Sequence, residues 1–167
     1  MSDYFYSNQF KKQQIIGDSV LNVTPNPFQM DAVYDPEASA VETLVAGEGV
    51  ILKDLGATDM NAMGVPIVGK RTNNYDAVYG VRKYSILKGL AAPGDNVVIS
   101  KKGDKLVFKC SGAVLRGDKV ALVIATPGTI RTVTTGYTEI GVALDKGANG
   151  DLIRVELTTV NEAVAAT

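Results

Sequence analysis

Residues 150–157 read Gly150-Asp151-Leu152-Ile153-Arg154-Val155-Glu156-Leu157. Ile153, Val155 and Leu157 fall on one face of an extended chain, and Arg154 and Glu156 fall on the other. That period of two is the pattern of a half-buried strand. Gly150 suits a turn position with positive φ, and Asp151 suits a turn because its carboxylate bonds nearby backbone. The same order of glycine, acid and strand formers occurs at Gly47-Glu48-Gly49-Val50-Ile51-Leu52, Gly94-Asp95-Asn96-Val97-Val98-Ile99 and Gly117-Asp118-Lys119-Val120-Ala121-Leu122. Repeated turn-and-strand units predict a mostly β chain.

The units pair into a weak internal duplication. One half runs from Gly47 through Gly80-Val81 to Gly94-Asp95, and the other from Gly117 through Gly141-Val142 to Gly150-Asp151. The first half carries extra residues around Asp59–Asn74 and Ser85–Ala92. The strands are too closely spaced for helical crossovers between parallel neighbours. The expected fold is mostly β, a small β-barrel or β-sandwich with weak internal duplication and an extended N-terminal arm.

The arm is expected over residues 1–45. Tyr4, Phe5, Tyr6 and Phe10 are interleaved with Ser, Asn, Gln and Lys without helical or strand period. Pro25, Pro27 and Pro36 then interrupt the chain, each fixing φ and removing a donor. Asp35-Pro36-Glu37 suits the start of a short helix over 38–44, and Val41, Thr43 and Val45 equally suit an entering strand. The expected division is an arm at 1–45 ordered by a partner, a β domain at 46–157 and a C-terminal tail at 158–167.

Composition removes most catalytic options. The chain has no histidine, no tryptophan and a single cysteine, Cys110. Serine–histidine and cysteine–histidine nucleophile pairs are excluded, as are histidine-containing zinc sites and thiolate cages. An intrachain disulfide is impossible, and Cys110 lies in an apolar run that predicts a buried thiol. A non-enzyme with no cofactor and no metal is expected. With 17 basic against 18 acidic side chains, the chain lacks the basic excess that nucleic-acid binding needs. No apolar run is long enough to span a membrane. Met1 to Gln14 is polar and aromatic, without an apolar signal region, which predicts synthesis in the cytoplasm.

Several motifs invite a functional reading. Gly64-Val65-Pro66-Ile67-Val68-Gly69-Lys70-Arg71 resembles a phosphate loop, but Arg71 replaces the magnesium-binding hydroxyl and Pro66 removes a cradle N–H. A strand ending in a turn is the expected structure. Asp145 to Glu156 resembles a calcium loop with Gly147 at a ligand position, and an Asn149-Gly150 hairpin accounts for the same residues. Arg116-Gly117-Asp118 matches an adhesion tripeptide, but its Gly-Asp belongs to the turn pattern. Asp54, Asp59, Asp104 and Glu139 are candidate acid pairs that spacing alone does not bring together.

Tyr137-Thr138-Glu139-Ile140-Gly141-Val142-Ala143-Leu144, followed by Gly150 to Leu157, resembles the closing segment of tailed-phage capsid decoration proteins, also called cement or head-stabilising proteins. Ala46-Gly47-Glu48-Gly49-Val50-Ile51-Leu52 resembles an earlier strand of that bacteriophage family. The likeness covers roughly residues 44–157, while residues 1–43 and the Asp59–Asn74 excursion depart from it. It implies a structural protein on the outer capsid surface of a virion, made in the host cytoplasm. Its partner would be the major capsid protein, whose neighbouring subunits it would bridge. The family also implies a homo-oligomer, with a trimer favoured over a dimer. Few charges guard Val97–Ile99 or Val120–Ile124, so those edges need closure or a partner, which also favours an oligomer. Tyr4, Phe5, Tyr6 and Phe10 are interface-type anchors and the candidate partner-binding residues.

Rival readings come from other classes. Tyr75, Tyr79 and Tyr84 suggest a small-ligand or carbohydrate-binding β module. A histidine-free hydrolase would use paired carboxylates. Another phage structural subunit, of tail or baseplate, shares most of the expected features.

Overall fold

The computed structural model describes residues 16–17, 27–54, 65–85 and 89–160. In chain order the strands are β1 (Gln29–Tyr34), β2 (Leu44–Val45), β3 (Gly49–Asp54), β4 (Ile67–Lys70), β5 (Gly80–Arg82) and β6 (Leu90–Ala91). They continue as β7 (Asn96–Ser100), β8 (Lys105–Cys110), β9 (Lys119–Leu122), β10 (Thr129–Thr132), β11 (Glu139–Ala143) and β12 (Leu152–Leu157). Strands β1-β4-β3-β5-β7 close one barrel, and β10-β8-β12-β11-β9 close a second. Strands β2 and β6 form a separate ribbon.

The two barrels are copies of one design. In each, the first strand runs parallel to the third and antiparallel to the fifth. The second pairs with the third and fourth, and the fourth with the fifth, all antiparallel. The match extends to single hydrogen bonds. Tyr34 N–H donates to Asp95 O as Cys110 N–H donates to Asp151 O. Arg82 N–H donates to Glu48 O as Ala143 N–H donates to Asp118 O. The ribbon pair Leu44–Ala91 has its counterpart in the bridge between Val114 and Gly147. The duplication expected from turn spacing is therefore a duplication of whole barrels.

The repeated turns explain why the same letters recur. Gly47, Gly94, Gly117 and Gly150 have φ between 78° and 92°, where a side chain is strained. The acid after each glycine closes the turn twice. Its N–H donates to the carbonyl three residues earlier, in Val45, Ala92, Leu115 and Ala148 respectively. Its carboxylate accepts the N–H of that same residue, at 2.8 to 2.9 Å in all four turns. Such a turn leaves neither polar group idle before the strand begins.

Each barrel has its own core. Ala32, Tyr34, Val50, Val68, Val97 and Ile99 fill the first, with Leu44 and Ala91 of the ribbon. Leu106, Phe108, Val120, Ile130, Ile140, Ile153, Val155 and Leu157 fill the second. Val78 and Val81 pack into the second core cluster, so apolar contact continues across the junction. The joint is also pinned by polar contacts. Asn74 O accepts Thr138 N–H at 2.8 Å, its Oδ1 accepts Ile124 N–H at 3.1 Å, and Tyr75 O accepts the Thr138 hydroxyl at 2.7 Å.

Four expectations change. The span 1–45 is not an arm throughout, because β1 lies within it and pairs with β4 and β7. Buried Ala32 and Tyr34 alternate with less buried neighbours, a strand period flanked by the prolines that obscured it. Residues 36–43 are turns and irregular backbone, leading into β2 rather than a helix. At the other end, Val160 is fully buried in the second core, so the barrel extends past residue 157. Barrel closure also pairs β7 and β9 on both sides within the chain, so those edges give no reason for an oligomer.

Candidate functional site

Tyr4, Phe5, Tyr6 and Phe10 lie outside the described residues. The three tyrosines of the ligand-groove reading do not offer three free rings. Tyr75 is 68% exposed. Tyr79 is part of the first barrel's wall, with the Lys101 ammonium 3.2 Å from its ring centroid and its hydroxyl 3.7 Å from the Met30 sulfur. Tyr84 is half-buried, and its N–H donates to Gly17 O.

The other motifs resolve into structural roles. Residues Ile67–Lys70 of the phosphate-loop look-alike are strand β4, which runs into a turn. Asp145 grips Arg154 in a two-pronged ion pair, with Nη2 at 2.6 Å and Nε at 2.8 Å. Those bonds hold the Asp145 carboxyl below its ordinary range. Asp151 is bonded to Ala148 N–H. Among the described residues no three His, Cys, Asp or Glu side chains gather at metal-binding range. The Asp118 carboxylate of the adhesion tripeptide turns inward, to Leu115 N–H at 2.9 Å and the Thr132 hydroxyl at 3.3 Å. Of the candidate acids, Asp104 is fully buried against Gln29 and Glu139 pairs with Lys119 at 3.0 Å. Cys110 is buried as expected, and burial pushes its thiol upward.

Lys101 gives a measurable electrostatic signature. Its ammonium also donates to Tyr79 O, and burial pushes its pKa from 10.5 down to about 8. Between those values the unfolded chain holds more protons at this site, so this site's contribution to stability rises with pH. Tyr34, pushed up to about 12 mainly by burial, acts in the opposite sense above pH 10. Comparing the parent with Lys101→Met cancels all other groups. As pH rises from 7 to 10, the parent should gain up to about 2 kcal/mol on the variant, read from urea unfolding. A pH-independent difference contradicts a depressed Lys101.

No motif in the sequence marks the crowded junction between the barrels. Gly17 N–H donates to Val107 O of the second barrel, and Gly17 O accepts Tyr84 N–H beside the first. A Cβ on Gly47 would meet Gly128 Cα at 2.9 Å, so only glycine permits this approach. Arg71 is buried there and donates from Nη2 to Asn73 O at 3.3 Å and Asn74 O at 2.8 Å. Burial pushes its guanidinium below the ordinary value, and Asp76 opposes the shift. Val41, Tyr75, Leu90 and Leu115 are exposed apolar side chains. They stand on turns, loops and the β2–β6 ribbon that border the closed barrels.

No family model matches the chain, and no curated protein matches it. Among solved structures, it is similar to the head fiber gp8.5 N base of bacteriophage phi29. The likeness covers 80% of this chain and 96% of that one, with a TM-score of 0.50 and 12% identity. At that identity, what the two chains share is the fold.

Proposed function

We propose that this chain is a structural protein of a tailed-phage head. It binds the outside of the assembled icosahedral shell and bridges neighbouring major capsid subunits. The observation that carries the reading is the fold likeness to a phage head fiber base, which spans nearly all of that base. The decoration-protein resemblance of the turn-and-strand segments points the same way. Two closed barrels, with paired strands and exposed apolar side chains, suit contact rather than chemistry. The partners are the major capsid protein and further copies of the chain, with a trimer favoured. The place of action is the outer surface of the virion.

Bridging requires no strong single contact. A protein that binds only the assembled shell stabilises that state by mass action. Simultaneous contacts to adjoining subunits add effective concentration. Tyr4, Phe5, Tyr6 and Phe10 are proposed as the clamp. Deleting residues 1–14 should weaken cosedimentation with shells of the cognate major capsid protein by about tenfold or more. The unfolding midpoint should stay unchanged. Undiminished binding by the truncated chain contradicts the clamp, and failure of the full chain to bind shells contradicts the proposed function.

A further inference from the structure

Arg71 follows β4 and lies at the barrel junction, 5% exposed. Its Nη2 is used by the carbonyls of Asn73 and Asn74, but Nε and Nη1 have no hydrogen-bond partner among the described residues. Buried donors are ordinarily satisfied, and a guanidinium does not escape the cost by losing its proton at neutral pH. The nearby acids are engaged elsewhere. Asp76 accepts the N–H groups of Thr72 and Asn73, while Glu48 pairs with Lys70 at 3.2 Å and accepts Val45 N–H.

Arg71 borders a small cavity walled by Gly47, Glu48 and Gly49 on one side and by Leu122, Ile124 and Gly128 on the other, with the Glu48 carboxylate turned to Val45 N–H and Lys70. The cavity is small, with room for about one occupant near the size of a water molecule. Water would bring an acceptor without charge, whereas a small anion brings an acceptor and a countercharge. We propose that this cavity binds one monovalent anion of halide size, held by the idle N–H groups of Arg71. Its walls come from both barrels, so the ion is bound only when they are docked and holds them together. The residue that spoils the phosphate-loop match thus serves a smaller anion.

The test is urea unfolding of the full chain while sodium chloride replaces sodium gluconate at constant ionic strength. From zero to about 0.3 M chloride, the folding equilibrium constant of the parent should rise about tenfold, as a site with a dissociation constant of about 30 mM gives. Arg71→Met should lose this response. Equal curves in chloride and gluconate, or a chloride response that persists in Arg71→Met, overturn the proposal. Should Arg71→Met fail to fold, crystals of the parent grown in sodium bromide decide. An anomalous peak within hydrogen-bond reach of Arg71 supports the site, and an empty cavity or a water there overturns it.

Discussion

Gly141→Ala should destabilise the protein by about 3 kcal/mol or more, a large share of the 5–15 kcal/mol typical of a folded domain. Gly141 lies in β11 opposite Leu157 of β12. A Cβ there would come within 2.0 Å of Glu156 O and 2.9 Å of its carbonyl carbon. Those atoms belong to backbone, so no rotamer change relieves the clash. The strands must separate, and the second barrel loses part of its seam. Gly80 occupies the same place in the first barrel, and its Cβ would meet Ser100 O at 3.0 Å. Gly80→Ala should therefore cost less, about 1–2 kcal/mol. A Cβ on Gly89 would meet nothing within 4 Å among the described residues, so Gly89→Ala should change stability by less than about 0.5 kcal/mol. Urea unfolding checks the order, and equal losses at Gly141 and Gly89 contradict the close strand approach.

Arg82→Met should cost about 2–4 kcal/mol, as two charge-assisted hydrogen bonds are lost and their buried carbonyl acceptors are left without this donor. Arg82 ends β5 with 2% exposure. Its Nη1 donates to Leu44 O at 2.6 Å and Gly89 O at 2.8 Å, fastening the β2–β6 ribbon to the first barrel. Methionine fills similar space but leaves those carbonyls without this donor. The second barrel shows what the arginine replaces. There the counterpart residue is Ala143, and the ribbon shrinks to reciprocal Val114–Gly147 bonds of 2.9 Å. Hydrogen exchange should show faster exchange at the Leu44 and Ala91 amides in Arg82→Met, with β8 to β12 less affected. A loss below about 1 kcal/mol would contradict the anchoring role.

Much of this architecture was legible in the sequence. The Gly-acid turns are spaced so that Gly47 matches Gly117, Gly80 matches Gly141 and Gly94 matches Gly150, and the structure repeats each match in its hydrogen bonds. A further copy went unread at Gly103-Asp104, where Asp104 N–H donates to Lys101 O and the carboxylate turns to Gln29. That turn joins the two barrels, so overlooking it hid where one repeat ends and the next begins. Strand β1 was hidden because prolines on both sides outweighed a short alternation over Met30–Tyr34. The burial of Arg71 and Arg82 was not legible at all. Charge predicts exposure, and only the tertiary arrangement brings backbone carbonyls to receive them.

The design also explains how a chain without histidine and with a lone buried thiol still has a defined surface. Turns, loops and the β2–β6 ribbon present Val41, Tyr75, Leu90 and Leu115 to the outside, and the paired strands of the closed barrels leave few backbone groups for edge-to-edge association.

Electron cryomicroscopy of native phage particles, beside particles lacking this chain, decides whether it serves the head as proposed. Density for the paired barrels is expected on the outer face of the head, touching at least two adjoining major capsid subunits and missing from the deficient particles. Density on the tail or baseplate, or contact with a single capsid subunit, would contradict the proposed role.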